Sequence, residues 1–570
     1  MVRTLRFDVV VVGGGGAGTR AAIEAARNNP DLEILIINQG PIGRSGLTSM
    51  ANGGIHWVSH PEDSFEAHFE DIVRMGYFLN DQNLVEVLVH EAPERAEELI
   101  RWGAKVLMDG DKYLLTDPKG SGCSFPRGHY IPGATFMATL RKELERHKNI
   151  RIFEDFFVTA LVVKEKRVIG ATAIDIRKGE FLVVLCKALV LATGGLGEIF
   201  LHTTNSPFGL RGYASGTGYA LAYNAGAELI DMEMVQFTGH QLYPPWPLGN
   251  LALLSSLCGG KYVNALGQEF LKLPQPRDMI QKLAYKEIKE GRGSPRGGVF
   301  IDLSASPLTR EEIEKNLRVS LGGEIAKGRW ELIKKMSVAK SDPKTWKVEF
   351  TPGGAHFCMG GVKINEKCET TLEGLFAAGE VTGGLHGANR MGGNALSETL
   401  VFGARAGRFA AEHAKDSRFF EADREFVDTE FQRVHTFFKD QGVHPCVIRE
   451  RLGSLMCANL GVIRNREGME RALRQIEDLK GQTEDIRAPK FKRFNRLWIE
   501  ALEVASMFDV AEMVVRSALF REESRGAHYR EEYPETRKEW LKHTCVRKQD
   551  SKMDLTTRPV VITKLKCGHD

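Results

Sequence analysis

No stretch of the 570-residue sequence approaches the ~18 consecutive apolar residues that a membrane-spanning helix needs. The N-terminus enters a strand within a few residues, which leaves no room for a cleaved leader. Charge of one sign is also missing: 77 basic and 74 acidic residues give a net charge of +3, which excludes an acidic tail and offers no footprint for nucleic acid. The nine cysteines include no C-x-x-C pair, so they form neither a zinc nor an iron–sulfur ligand pattern, and no metal site is expected. Their odd number argues against a disulfide framework and for a reducing, cytoplasmic setting. Internal repeats and low-complexity segments are absent as well. What remains is an ordinary globular composition, 42% apolar and 26% charged. Its length suits about four structural units at roughly 150 residues each.

Glycine is plentiful, and its placement is informative. "FDVVVVGGGGAGTRAAIEAARNN" (7–29) reads as a buried strand, a glycine turn and a helix. Gly13, Gly15 and Gly18 satisfy G-x-G-x-x-G directly after a strand and at the opening of a helix, the setting in which the pattern signals a dinucleotide. Gly13 makes the turn, Gly15 lets the backbone approach a pyrophosphate, and Gly18 lets helix and strand pack closely. The helix N-terminus, with Gly16 and Ala17, then offers unpaired N–H groups to the phosphates. The second strand, "EILIINQG" (33–40), should end in an acid that holds ribose hydroxyls. It ends instead in Asn38 and Gln39, and Asn38 can still donate and accept.

Further strand-then-glycine units follow. "CKALVLATGGLGEIF" (186–200) ends its strand in Ala192-Thr193-Gly194-Gly195, and "LEGLFAAGEVTGG" (372–384) ends in Gly379-Glu380. The loop "GPIGRSGLTSMANGGIHW" (40–57) is rich in glycine and hydroxyls. "GLHGANRMGGNALSETLVFG" (384–403) sets His386 and Arg390 among glycines just before a helix. Each cluster alone could be a plain turn; repeated in one chain, they point to one extended nucleotide site.

Taken together, these motifs resemble the flavoprotein subunit of succinate dehydrogenase and fumarate reductase, a family that includes L-aspartate oxidase. The segment "FNRLWIEALEVASMFDVAEMVVRSALFREESRGAHYREEYPE" (494–535) is similar to that family's C-terminal helical region, so the resemblance spans nearly the whole chain. It implies an α/β fold: a Rossmann-like FAD-binding domain over 1–235 and 351–415, an inserted α+β capping domain over 236–350, a helical domain over 416–540 and an extended tail over 541–570. It further implies FAD held by the glycine turn, by Ser45, Gly46, Thr48, Gly53 and Gly54 of the second loop, and by Ala160, Asn205, the 192–195 turn and Glu380 at its sugar hydroxyls. Arg390, Asn394, Ala395 and Leu396 would lie at the flavin ring, with Gly392 and Gly393 clearing space for it. The helix near Ala395 would direct its N-terminal dipole at the ring.

The activity implied is hydride transfer between flavin N5 and the C=C or CH–CH bond of a dicarboxylate, with electrons exchanged with an iron–sulfur partner subunit. Arg277 in "QPRDMIQ" (275–281) matches the family's general acid, while His356 in "GGAHFCMGG" (353–361) and Arg390 match its carboxylate-binding residues. The plain alternative for Arg277 is a surface ion pair with Asp278 or Glu287.

Several departures stand beside these matches. Thr238, in "VQFTGHQLYPP" (235–245), occupies the place of a carboxylate-binding His, and His240 follows two residues later. Ser255 and Ser256 stand where the family's relay has Thr and Glu, and Thr217 stands where it often has Asp. Gly46 replaces the His that is covalently joined to FAD in membrane-bound relatives, so the expected FAD is non-covalent. These departures leave two other readings open: oxidation of an amino dicarboxylate, as in L-aspartate oxidase, or an FAD-binding electron-transfer subunit with a different substrate. Any membrane attachment would run through partner subunits.

Overall fold

The strands Arg3–Val12, Ile34–Asn38, Glu180–Leu191 and Leu375–Ala377 run parallel through the centre of the molecule, with Ile150–Glu154 added at one edge. They are written as unbroken Val, Ile and Leu runs because helices cover both faces of such a sheet. The register sets Val9 against Ile34 and Val12 against Leu191, so the three strand ends that carry the glycine-rich turns lie side by side. A computed structural model of the chain describes residues 2–51, 54–115, 122–204, 212–243, 254–255, 257–273, 275–320, 342–550 and 552–567.

Glu180–Leu191 belongs to two neighbourhoods. Its first half pairs antiparallel with Arg167–Asp175, which continues to Phe156–Lys164; its last residues pair with Leu375–Ala377. The helices Gly16–Asn28 and Asn394–Asp416 lie together on this sheet. Their close contact depends on Gly403 and Gly407, where an added Cβ would meet backbone of Ala17 and Ala21 at 2.7 and 2.1 Å.

The chain leaves this body along Val235–Tyr243 and returns along Lys347–Cys358, two antiparallel strands of a second, five-stranded sheet with Val299–Asp302, Lys261–Val263 and Glu269–Leu271. This sheet and the helices Arg277–Lys289 and Arg310–Ser320 enclose a separate apolar core that includes Tyr262, Ile280, Val299, Trp346 and Phe350. The pairing is irregular where it matters. Gln236 opposes Phe357 and Phe237 opposes Ala355, so His356 is the extra residue of a bulge. Bulges of this kind re-aim a side chain.

Beyond residue 416 the chain is largely helical, with Arg424–His435, Pro445–Asn459, Arg466–Gly481 and Arg496–Phe520. The expected extended tail takes another form. Lys542–Gln549 and Lys552–Pro559 make a hairpin whose first strand joins Leu229–Ile230 in a third sheet. The residues after it are tied to the body by Gln82, whose Oε1 accepts from the N–H groups of Thr563, Lys564 and Leu565 at 2.9–3.0 Å. Among the described residues no helix is long and apolar enough to cross a membrane.

Candidate functional site

The glycine turn is set by contacts that admit no side chain. Gly13 has φ +112°, and a Cβ there would lie 2.1 Å from the Ala192 carbonyl oxygen. A Cβ on Gly18 would lie 1.9 Å from the Gly13 oxygen, so Gly18 packs the helix and does not line the cavity. Gly15 differs. The nearest atom to its missing Cβ is Thr48 Oγ1 at 3.6 Å, and it borders open space. That space is a cavity of about 370 Å³, lined by residues 12–17, by Gln39, Ser45, Gly46, Thr48 and Gly54, and by Ala192, Thr193 and Gly194. Thr193 Oγ1 is buried there without a hydrogen-bond partner among the described residues.

Asn38 lines the cavity but is otherwise employed than expected. Its Oδ1 accepts from Gly14 N–H at 2.8 Å, and its Nδ2 donates to Gly40 O at 2.7 Å and Ser45 Oγ at 3.1 Å. Both amide protons and one lone pair of Oδ1 are spent fastening the two loops to each other, so Asn38 chiefly shapes the site and keeps one acceptor position for a ribose hydroxyl. Gln39 donates to Glu503 at 2.7 Å, and Arg449 joins Glu503 to Glu198. Glu198 in turn accepts from the N–H groups of Gly212, Tyr213 and Ala214, which hold a further wall of the cavity. Nothing local in the sequence marks this buried set, because its members meet across 54 to 464 residues of chain.

Other expectations shift in place. Ala160 does not line the cavity. The strand Phe156–Lys164 offers Phe156, Phe157 and Val158 instead, and its pairing slips between Val158 and Ala160. Gly195 makes room for a neighbour: its Cβ would fall 2.1 Å from Glu380 Oε1. Glu380 opens on the cavity, accepts from Cys358 N–H at 3.1 Å, and is pushed up to about 8 by burial. Gly53, Asn205 and Ser256 lie outside the described residues, as does the side chain of His240.

The segment 384–403 supplies a further part of the lining. Arg390 is almost fully buried, its guanidinium 4.6 Å from the centre of the Phe357 ring. Arg277, at the first turn of the helix Arg277–Lys289, is half-buried and reaches the same place from the second sheet. Both guanidiniums address one atom, Gln236 Oε1, at 3.3 Å from Arg390 and 3.5 Å from Arg277. The orientation of that amide is fixed because its Nε2 donates to Asn389 Oδ1 and to Arg390 O, each at 2.8 Å. Asp278 is engaged by Tyr77, Lys282 and Asn389, and Glu287 by Arg292 and Asn264, so the surface ion pair is not the setting of Arg277.

Gly392 and Gly393 give their room to side chains of the protein itself. A Cβ on Gly392 would meet Arg277 at 3.1 Å, and one on Gly393 (φ +82°) would meet the buried His56 ring at 2.1 Å. Asn394 points away from the cavity, with Oδ1 3.3 Å from His68 Nε2, while Ala395 and Leu396 face it. His386 staples the segment to its own helix through Glu398, at 3.0 Å.

His356, carried by the bulge, completes this part of the lining. Its Nδ1 lies 2.9 Å from Thr204 Oγ1, and Thr204 lies 3.1 Å from Thr238 Oγ1. Burial first, then the guanidiniums of Arg277 and Arg390, hold its imidazole well below the ordinary range, so it is neutral at physiological pH. Ser255 donates to Tyr262 at 3.0 Å, and Thr217 shares a hydrogen bond with Ser215 at 2.9 Å.

A family model described as FAD binding domain matches residues 8–396, and one described as fumarate reductase flavoprotein C-term matches residues 449–569. A fumarate reductase (CoM/CoB) subunit of Methanothermobacter marburgensis is 39% identical over 548 residues, 94% of this chain and 95% of the relative. The fumarate reductase flavoprotein subunit of Escherichia coli is 31% identical over 604 residues, 99% of this chain and 95% of that one. Among solved structures, a variant of E. coli quinol fumarate reductase superposes with TM-score 0.88 at 30% identity, covering 99% of this chain and 98% of the other. Mycobacterium smegmatis Sdh1 in complex with UQ1 follows at TM-score 0.85 and 30% identity, covering 99% and 96%.

Proposed function

The chain belongs to the flavoprotein-subunit family of fumarate reductase and succinate dehydrogenase, FAD-dependent oxidoreductases that act on CH–CH groups, and from that premise we propose that it reduces the C=C bond of a dicarboxylate such as fumarate. The observation that carries this reading is the convergence of Arg277 and Arg390 on the single Gln236 oxygen. Two fixed cations that share a neutral acceptor match a dianion in a confined cavity. The residues also suit FAD: a glycine turn open at Gly15, an orphaned hydroxyl on Thr193, and a carboxyl on Glu380 set deeper in the same cavity.

In this reading FAD, when bound, supplies the hydride to one alkene carbon. Arg390 holds one substrate carboxylate through charge and paired N–H donors, and neutral His356 adds a single hydrogen bond. Arg277 neutralises the second carboxylate and gives a proton to the other alkene carbon. Gln236 keeps both guanidiniums aimed at the cavity. The cysteines offer no cluster-binding pattern, so we assign electron supply to an iron–sulfur partner subunit, and membrane contact, as for a quinol reductase, to partners too.

Anaerobic, photoreduced holoprotein is expected to be reoxidised by fumarate. Flavin that stays reduced in fumarate, or peroxide release with L-aspartate in air, would overturn the assignment. Gly46, at φ +80°, stands where the family's linked His stands and offers no imidazole, so acid precipitation is expected to release all the flavin into the supernatant.

Glu380 makes both stability and FAD binding depend on pH. Its carboxyl is raised from the ordinary 4.5 to about 8 in the folded chain, so it holds a proton that the unfolded chain has released. Its contribution to apoprotein stability is therefore full below about pH 4.5 and lost as pH rises through about 8. Sugar hydroxyls donate best to the ionised form, so FAD binding below pH 8 must release that proton. FAD affinity should rise about tenfold per pH unit from pH ~6 to ~8 and then level. Glu380→Gln should flatten this dependence. A wild-type affinity constant across that range would remove Glu380 from its assigned role.

A further inference from the structure

We infer that Thr204 and Thr238 form a hydroxyl relay that fixes the tautomer of His356, making both threonines positioning residues for carboxylate binding. This rests on the reading of His356 as a carboxylate ligand, and the experiment below separates the two.

A neutral imidazole has one donor and one acceptor nitrogen, and the neighbour of one nitrogen decides the role of the other. His356 is kept neutral by its surroundings, so its tautomer decides whether it can bind an anion at all. Thr204 Oγ1 has one proton and three neighbours: His356 Nδ1 at 2.9 Å, Thr238 Oγ1 at 3.1 Å and Ala355 O at 3.4 Å. Ala355 O already accepts from Thr203 Oγ1 and from Thr204 N–H, both at 2.9 Å, so it is the weakest claimant. The hydroxyls can run in either direction, and the one that suits a carboxylate ligand has Thr238 donating to Thr204 and Thr204 donating to Nδ1. The proton of the ring is then confined to Nε2, which makes that edge a donor, as a carboxylate requires.

The relay accounts for the departure at Thr238. The hydroxyl serves instead through Thr204, and the dianion is still met by two cations. The bulge is what allows this, because it turns His356 off the ladder and toward the strand Val235–Tyr243 that carries Thr238.

The test uses holoenzyme labelled with 15N-histidine, with the His356 signals assigned by their loss in His356→Gln. The wild type should show an unprotonated Nδ1 and a protonated Nε2. In Thr204→Val the proton should be shared between the two nitrogens, and the KM for fumarate should rise about tenfold, the size of one lost hydrogen bond, with kcat changed by less than about threefold. Thr204→Ser should restore both the spectrum and KM, and Thr238→Val should fall between. A wild-type ring protonated at Nδ1, or a Thr204→Val enzyme with unchanged spectrum and KM, would overturn the relay. An unchanged KM in His356→Gln would instead overturn the carboxylate reading on which it rests.

Discussion

Arg277→Ala is expected to keep its full complement of FAD and to lose fumarate reduction by at least about 10³-fold. A general acid contributes roughly 10²–10⁴, and here the same side chain also neutralises charge on the substrate. The fold should tolerate the change. Alanine suits the first turn of a helix, the Pro276 cap is untouched, and Gln236 Oε1 retains Arg390 as a donor. Arg277 stands on the helix Arg277–Lys289, outside the strand, turn and helix that carry the glycine motif, so flavin stoichiometry and the visible spectrum should match the wild type. Arg277→Lys keeps the charge as a point donor without the planar fork, so intermediate activity is expected. A secondary effect has a definite sign. Arg277 is one of the two guanidiniums that depress His356, so its removal lets that imidazole rise toward its ordinary value. Burial, the larger cause, and Arg390 remain, so His356 stays neutral in Arg277→Ala at physiological pH. Turnover within threefold of wild type would end the general-acid assignment.

How much of this site could be read from the sequence depends on how local each requirement is. A turn that forbids a Cβ must be written as glycine at that position, so Gly13, Gly18 and the end of the strand at Ala192 are legible from residues within reach of one another. The segment around Arg390 is legible for the same reason. The loop-fastening part of Asn38 is not legible, because the sequence shows its chemistry but not its neighbours Gly14, Gly40 and Ser45. Ala160 was misplaced by a slip in strand pairing that no periodicity reveals. The pairing of Gly393 with His56 and the Glu198–Arg449–Glu503 set need distant segments to meet, and residue type alone cannot specify that. The bulge at His356 is of this kind too: alternation in "VEFTPGGAHFC" gives no sign that one residue is extra.

Gly15→Ala is expected to leave the apoprotein folded and to weaken FAD binding by at least about 10²-fold, while Gly13→Ala is expected to damage the fold itself. The two glycines stand two residues apart in one motif, and the geometry separates them. Gly15 has φ −75°, which alanine adopts freely, and a methyl group there would meet nothing closer than Thr48 Oγ1 at 3.6 Å. That methyl enters only the space through which a pyrophosphate must approach the backbone, so the loss falls on the cofactor and not on the chain. Gly13 is at φ +112°, where an L-residue costs about 1–2 kcal/mol, and its methyl would sit 2.1 Å from the Ala192 oxygen. That oxygen cannot yield: Ala192 N–H donates to Val12 O and Gly13 N–H to Ile37 O, both at 2.8 Å, at the centre of the parallel sheet. Overpacking there adds about 1–3 kcal/mol, a large share of the ~5–15 kcal/mol that holds a domain together. Flavin titration and thermal unfolding of both variants, each as apoprotein, read the two effects apart. Should Gly15→Ala take up FAD as tightly as the wild type while its unfolding temperature is unchanged, the pyrophosphate does not pass over this turn, and the cofactor's place in the cavity would have to be drawn again from Arg390.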